Sequence, residues 1–195
     1  MVVDERLVTY INSLDSGNTE ILDTIEREAL DSYVPIIRKE MQSFLKLLLA
    51  MQKPKRILEV GTAVGFSATL MAEYNPYPCE IVTIENYEKR IPIARENIKK
   101  AGMEEKIHLI EGDALEVMKE LEPSFDFIFM DAAKGQYINF FPECLRLLSD
   151  GGVLDLTQAE AVEVISDYTA YVLARQEELE NEPPAAPETE IPSAD

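Results

Sequence analysis

The sequence predicts an α/β domain in which a parallel β-sheet is covered by helices on both faces. From residue 55 onward, short and almost entirely apolar segments alternate with helical patterns. Continuous apolar strands of this kind are typical of parallel sheets, because both faces of each strand are buried. The first apolar segment runs into a glycine turn, in Ile57–Ser67, and parallel α/β folds use such turns to bind ligands.

The predicted elements follow one another regularly along the chain. Helices are predicted at residues 3–14, 19–32 and 36–51. The predicted strands are residues 56–60, 80–85, 106–110, 125–130 and 152–156. Helices at residues 65–74, 87–101, 114–121 and 136–148 lie between them. Pro35 suits the start of the third helix, where its missing N–H costs little, and Gly102 suits a helix C-cap.

The chain changes character after its fifth predicted strand. Residues 1–156 are expected to form the ligand-binding domain with its N-terminal helices. Thr157 and Glu160 fit a capping box, which predicts a C-terminal helix over residues 157–180. Residues 181–195 combine prolines and acids without a single base, and an unfolded acidic tail is expected there.

Composition excludes several classes of protein. The net charge is −19, from 18 basic and 37 acidic residues, so a nucleic-acid partner would need a local basic patch. Cys79 and Cys144 form neither a metal motif nor a disulfide framework, which suits a reducing compartment. No segment is apolar over the length of a membrane span, and the N-terminus does not resemble a signal peptide. We therefore expect a cytoplasmic protein that does not enter a membrane.

Acidic residues occur at the carboxyl ends of four consecutive predicted strands. They are Glu59, Glu85, Asp113 and Asp131. Ligands of parallel α/β sheets bind at these ends, so the four acids predict a site for hydroxyls, amines or a cation. Glu85, about 20 residues after the glycine turn, occupies the usual place of a ribose-binding carboxylate. The alternative is that Glu85 caps the start of the following helix.

Four motifs resemble those of the cation-dependent O-methyltransferases: Ile57–Ser67, Val82–Glu85, Glu111–Ala114 and Phe129–Tyr137. That family includes catechol and caffeoyl-CoA O-methyltransferases and a bacterial branch that methylates 5-hydroxyuridine in tRNA. The Asp-Ala-Ala-Lys-Gly-Gln-Tyr stretch, with the Asn-Phe-Phe that follows it, is most similar to the tRNA branch. The resemblance extends from about residue 3 to residue 154 and implies a Rossmann-like methyltransferase fold.

The resemblance also implies a set of functional residues and S-adenosylmethionine as the methyl donor. Carried over by position, the cofactor residues are Ile37, Glu59, Gly61, Thr62, Ser67, Glu85, Asp113, Ala114 and Asp131. Glu85 would bind the ribose, while Asp113 and Ala114 would border the adenine. Asp131 would hold Mg²⁺, which lowers the pKa of a substrate hydroxyl. Lys134 would act as general base or position the substrate, unless it is an ordinary surface lysine.

The C-terminal part departs from the family pattern. The Asp-Asn pair that completes the metal site in relatives falls on Thr157 and Gln158. Asp155 lies on the same strand face about 6–7 Å earlier, and we expect it to serve only if the strand slides by two residues. A weakened metal site is therefore predicted. The family's strands six and seven also lack counterparts, which would expose the edge of strand five unless the C-terminal helix or another chain covers it.

These features predict a Mg²⁺-dependent O-methyltransferase that acts on 5-hydroxyuridine in tRNA and forms a homodimer. A small catechol-like acceptor is an open alternative, as is a cofactor-binding remnant or interaction module without turnover. A nicotinamide-binding protein is less favoured, because the turn lacks the three-glycine fingerprint. His108, inside a strand, is expected to be structural. Tyr137, Phe140 and Phe141 could line a substrate entrance or pack their helix.

Overall fold

The computed structural model describes residues 17–122, 124–131 and 136–156, together with six single residues: Arg6, Thr9, Tyr10, Ser13, Ser166 and Thr169. The chain divides into two compact units, Met1–Ala161 and Val162–Asp195, and every element described below belongs to the first. Apart from these single residues, the predicted helix at 3–14, the C-terminal helix at 157–180 and the tail at 181–195 lie outside the described residues.

Five parallel strands form a single sheet. They are β1 Arg56–Val60, β2 Glu80–Glu85, β3 Ile107–Glu111, β4 Phe125–Met130 and β5 Leu148–Leu156. Their order across the sheet is β3-β2-β1-β4-β5. The chain winds outward from β1 to β3 and then returns to place β4 on the other side of β1. Ligands of open parallel sheets bind at the carboxyl ends of the strands beside this reversal.

Within the described ranges, six helices accompany the sheet: α1 Glu20–Asp31, α2 Lys39–Gln52, α3 Phe66–Tyr74, α4 Ile91–Lys100, α5 Ala114–Glu120 and α6 Tyr137–Leu147. No helix in the described part of the chain is both long and apolar enough to cross a membrane.

The hydrophobic core on one face of the sheet joins the strands to α1, α2 and α3. Its largest members are Leu22, Ile25, Leu45, Leu49, Phe66 and Leu70 from the helices and Ile57, Ile81, Phe127 and Phe129 from the strands. The opposite face packs on α6, because the Cys144 sulfur lies 4.0 Å from that of Met130, whose side chain points away from that of Phe129. The predicted parallel sheet with helices on both faces is confirmed.

The third predicted helix begins later than expected. α2 starts at Lys39 rather than at residue 36, and its N-cap Arg38 is extended, with ψ near 161°. Pro35 therefore belongs to a non-helical segment. Ile37 in that segment is buried against the core, and its carbonyl accepts a 3.0 Å hydrogen bond from the side chain of Gln42. This long-range packing outweighs the local preference of proline for a helix start.

The C-cap predicted at Gly102 is confirmed. Gly102 has φ +65°, and its N–H donates to Lys99 O at 2.9 Å. The N–H of Met103 donates to Ile98 O at 3.0 Å. These two bonds form a Schellman motif, which needs a left-handed residue that glycine adopts without strain.

The strand β5 is longer than predicted and lies at an edge of the sheet. It begins at Leu148, opposite Phe125, and its register against β4 shifts between Phe125 and Phe127. Beyond that irregularity Asp155 pairs with Phe129, and Leu156 pairs with Met130. The expectation that strands six and seven are missing concerns residues after Leu156, which lie outside the described ranges.

Candidate functional site

The turn after β1 lies at the point where the strand order reverses, and it is firmly held. The N–H groups of Gly61 and Thr62 both donate to Ile84 O at 3.1 Å, which ties the turn to the end of β2. The side chain of Asn97, buried on α4, donates to Val64 O at 2.9 Å. Gly65 then starts α3 with φ +81°. The N-terminus of α3 thereby lies at the carboxyl edge of the sheet, next to the ends of β1 and β2, where it favours negative charge or polar ligand groups.

Glu59 lies directly beneath this turn and is fully buried. The Ser67 hydroxyl donates to its Oε1, and the Thr83 hydroxyl donates to its Oε2. The hydroxyls of Thr62 and Thr83 are in turn 2.5 Å apart. The pKa of Glu59 is raised to about 8, mainly by burial. The hydrogen bonds from Ser67 and Thr83 lower it in part, and the charges of Asp131 and Glu85 add to the increase. A buried acid of this kind becomes ionised when a cationic ligand group approaches.

The structure therefore brings Glu59, Thr62 and Ser67 together, as predicted, but beneath the turn. All three are buried, with Thr62 1% and Ser67 7% exposed. Thr83 completes the group and was missed, because its contact with Glu59 depends on the pairing of β1 with β2. The alternation of Val82-Thr83-Ile84 was the available signal, since it places one hydroxyl within an otherwise apolar strand.

Glu85 joins two loops at the carboxyl end of the sheet. Its Oε2 accepts a hydrogen bond from Ala63 N at 2.7 Å. Its Oε1 accepts from Asn86 N at 3.0 Å and Tyr87 N at 2.9 Å. The alternative that Glu85 caps the following helix is wrong, because α4 begins only at Ile91 and its N-cap is Arg90. A carboxylate has about four acceptor positions, so Oε2 keeps one for a ligand hydroxyl.

Asp113 and Ala114 lie at the end of β3, on the rim of the same edge. Asp113 is the N-cap of α5, and its Oδ1 accepts from Leu115 N at 3.0 Å and Glu116 N at 3.3 Å. The neighbouring Gly112 N donates to Glu85 O at 3.0 Å, which holds this loop next to that of Glu85. Ile37, by contrast, is 8% exposed and belongs to the hydrophobic core.

Asp131 follows β4 directly, on the other side of β1. Its N–H donates to Val60 O at 3.0 Å, which continues the pairing of β1 with β4 up to the rim. Lys134, the proposed base, lies outside the described residues, as do Thr157 and Gln158. Tyr137, at the start of α6, donates from its hydroxyl to Met130 O at 3.0 Å. Tyr137, Phe140 and Phe141 are all buried, so they pack their helix.

Asp155 on β5 is the second acid on this side of the site. It is 9% exposed, and its Oδ2 is buried without a hydrogen-bond partner. Burial, and to a lesser extent the charge of Asp131, raises the pKa of Asp155 to about 6. The sequence-based interpretation allowed a role for Asp155 only if its strand slid by two residues. In the observed register Asp155 pairs with Phe129, two residues before Asp131.

The donor chemistry at the ends of β4 and β5 fits a hard divalent cation. Asp131 and Asp155 provide carboxylate oxygens, and Mg²⁺ is commonly held by one or two carboxylates together with water and substrate oxygens. No group of three or more His, Cys, Asp or Glu side chains placed to hold a metal ion occurs in the described ranges. His108, half exposed and 3.8 Å from Glu80, lies away from these acids.

The fold and the site together define a class of protein. A doubly wound parallel sheet, a glycine turn at its reversal point and carboxylates at the ends of β1 and β2 form a binding site for a nucleoside-type cofactor. A family model described as O-methyltransferase matches residues 12–167, and the chain belongs to that family. The expectation of an O-methyltransferase with a Rossmann-like fold is confirmed.

Individual relatives agree with this assignment. The chain is 33% identical over 174 residues to a catechol O-methyltransferase of Niastella koreensis, covering 80% of this chain and 79% of that enzyme. A caffeoyl-CoA O-methyltransferase of Medicago sativa is 36% identical over 121 residues, which cover 57% of this chain and 47% of that enzyme. Among solved structures, an O-methyltransferase from Bacillus cereus in complex with SAH superposes with a TM-score of 0.72. It is 26% identical, over 87% of this chain and 86% of that one.

Proposed function

We propose that this chain transfers the methyl group of S-adenosylmethionine to a hydroxyl oxygen, with the help of a divalent cation. The observation that carries the proposal is the position of the Glu85 carboxylate. Its Oε2 accepts a hydrogen bond from Ala63 N in the glycine turn and keeps a second acceptor position. This arrangement suits a ribose hydroxyl beside the turn. The SAH in the Bacillus cereus relative supports the choice of cofactor, because SAH is what remains of S-adenosylmethionine after methyl transfer.

The other proposed cofactor residues line the rest of S-adenosylmethionine, from its adenine to its methionine part. Asp113 uses Oδ1 to cap α5 and retains Oδ2 for the adenine side. Gly61 and Thr62 border the methionine part, above the buried carboxylate of Glu59. S-adenosylmethionine carries an ammonium and a sulfonium, and their positive charge favours the ionised form of Glu59. Ser67 and Thr83 stabilise that form by donating hydrogen bonds to both of its oxygens.

The acceptor hydroxyl belongs at Asp131, across β1 from the ribose site. Methyl transfer needs the oxygen in line with the bond that breaks, so the main task of the protein is to position the two reactants. When bound at Asp131, a cation such as Mg²⁺ makes the substrate hydroxyl more acidic. Lys134, three residues further along the chain, is the proposed acceptor of its proton.

The proposed substrate is 5-hydroxyuridine in tRNA, in the cytoplasm, with the enzyme acting as a homodimer. The support is the resemblance of Asp131–Tyr137 to the tRNA branch of the family. A small phenolic acceptor is the second candidate. It is favoured by the net charge of −19, which opposes binding to a polyanion, and by the similarity to the Niastella koreensis catechol enzyme.

A methylation assay separates these candidates. Purified chain is incubated with labelled S-adenosylmethionine and either hydroxylated tRNA or catechol, with Mg²⁺ or with a chelator. The proposal predicts label on one acceptor, Mg²⁺ stimulation, and loss of transfer in Asp131→Ala. Cofactor binding without transfer to either acceptor would instead support a cofactor-binding remnant or interaction module.

A further inference from the structure

Asp155 and Asp131 lie on the same side of the sheet, Asp155 on β5 and Asp131 directly after β4. Asp155 pairs with Phe129, and Asp131 is two residues beyond Phe129. Side chains two residues apart on a strand point to the same face, as do the two members of a register pair. The strand spacing and the rise per residue place the two Cα atoms about 8 Å apart, close enough for both carboxylates to reach one ion.

The side chain of Asp155 lacks the partner that a buried acid requires. It is 9% exposed, and its Oδ2 has no hydrogen-bond partner. Buried carboxylates are normally hydrogen-bonded, paired with a cation or bound to a metal. The carboxylate of Asp131, on the same side of the sheet, adds negative charge beside Asp155 and does not compensate it. The buried, unpartnered Oδ2 of Asp155 is therefore an oxygen that a bound cation would satisfy.

We propose that Asp155 and Asp131 together form a divalent-cation site, in which Asp155 replaces the carboxylate that relatives carry two residues later. The site is built from β4 and β5 in their observed register, and it does not depend on a slide of β5. Oδ2 of Asp155 and a carboxylate oxygen of Asp131 are the two protein ligands, and water or substrate oxygens complete the coordination. The catalytic role of the ion rests on the proposed function. Binding of the ion to these two residues does not, and it can be measured without methyl transfer.

The test measures binding of Mn²⁺ alone, by electron paramagnetic resonance titration of the full chain without substrate. Three variants are compared: Asp155→Asn, Asp131→Asn, and Asp150→Asn as the control, which removes an exposed carboxylate from the same strand. We expect one ion per chain, and both site variants should weaken binding by at least about tenfold, because even residues that only support a metal ligand contribute 10–100-fold. Asp150→Asn should bind like the unaltered chain.

Thermal unfolding provides a second readout that does not depend on the spectroscopic signal. Mn²⁺ should raise the Tm of the unaltered chain and of Asp150→Asn, but not that of Asp155→Asn. Without metal, Asp155→Asn should have a higher Tm than the unaltered chain, because it removes a buried, uncompensated charge. Unchanged Mn²⁺ binding in Asp155→Asn, or no binding in the unaltered chain, would overturn the proposal.

The outcome is distinguishable from a failure of the proposed function. Mn²⁺ binding that depends on Asp155 in a chain without methyl transfer would refute the proposed activity and support the cation site. Methyl transfer by a chain that binds no Mn²⁺, unaffected by chelator and by Asp155→Asn, would support the activity and refute the cation site.

Discussion

The carboxylate of Glu85, at the end of β2, accepts a 2.7 Å hydrogen bond from the backbone N–H of Ala63, in the turn after β1. Ala63 has φ +49°, a left-handed conformation that is uncommon for residues other than glycine, so this bond helps to hold the turn. One side chain thus shapes the glycine turn and offers an oxygen to the proposed ribose. Loss of the carboxylate should therefore affect both stability and cofactor affinity.

Glu85→Gln should destabilise the chain by about 1–3 kcal/mol, because its amide nitrogen cannot accept the backbone hydrogen bonds that the carboxylate oxygen accepts. Its affinity for S-adenosylmethionine should fall by about tenfold, the equivalent of one lost hydrogen bond of roughly 1.4 kcal/mol. Glu88→Gln is the matched control, since Glu88 is exposed in the same loop. Chemical denaturation and calorimetry measure the two effects, and equal behaviour of both variants would refute the role of Glu85.

The stability of the cofactor-free chain should decrease as the pH rises from 6 to 8. The folded pKa of Glu59 is about 8, above its ordinary value of 4.5, so over this interval the folded chain retains a proton that the unfolded chain has lost. The loss should approach roughly 1.4 kcal/mol per pH unit. Asp155 acts in the same direction, but mainly below its folded pKa of about 6, so the interval above pH 6 isolates Glu59.

Glu59→Gln tests this assignment. The variant should have a flatter stability profile between pH 6 and 8, measured by urea unfolding at several pH values. Glu28→Gln, on the exposed face of α1, should retain the original slope. A slope that persists unchanged in Glu59→Gln would show that another group retains the proton.

Gly65→Ala should weaken S-adenosylmethionine binding, an effect that its loss of folding stability alone does not explain. Gly65 has φ +81°, so a side chain there is strained, and relief of that strain would shift the turn that carries Gly61 and Thr62. The added Cβ itself would be in ordinary contact with Ala94 O at 3.4 Å. Gly17→Ala is the control, because Gly17 has φ +82° and no atom within 4 Å of the added Cβ. Both variants should lose about 1–2 kcal/mol of stability through backbone strain. Only Gly65→Ala should weaken S-adenosylmethionine binding, and equal affinity in the two variants would contradict the placement of the cofactor.

The sequence predicted the elements with strong local patterns. β1, β2 and β4 match their predicted bounds, because each is a short apolar run between turn residues. Glu85 was correctly expected at a strand end beside the glycine turn, since that position follows from spacing alone. The capping of α4 by Gly102 was likewise predictable, because it depends on a single backbone conformation.

Features that depend on neighbouring strands were not predictable. The hydrogen bond from Thr83 to Glu59 requires the register of β1 against β2, and the approach of Asp155 to Asp131 requires that of β4 against β5. The late start of α2 accompanies the burial of Ile37 in the core, among residues distant in the sequence. The spacing of residues along the sequence does not show which distant residues become neighbours in the fold.

Calorimetric titration of the purified chain with S-adenosylmethionine tests the central claim most directly. The account predicts one cofactor per chain, weaker binding in Glu85→Gln and Gly65→Ala, and no detectable heat with NAD. Absence of S-adenosylmethionine binding, or tighter binding of NAD, would contradict it.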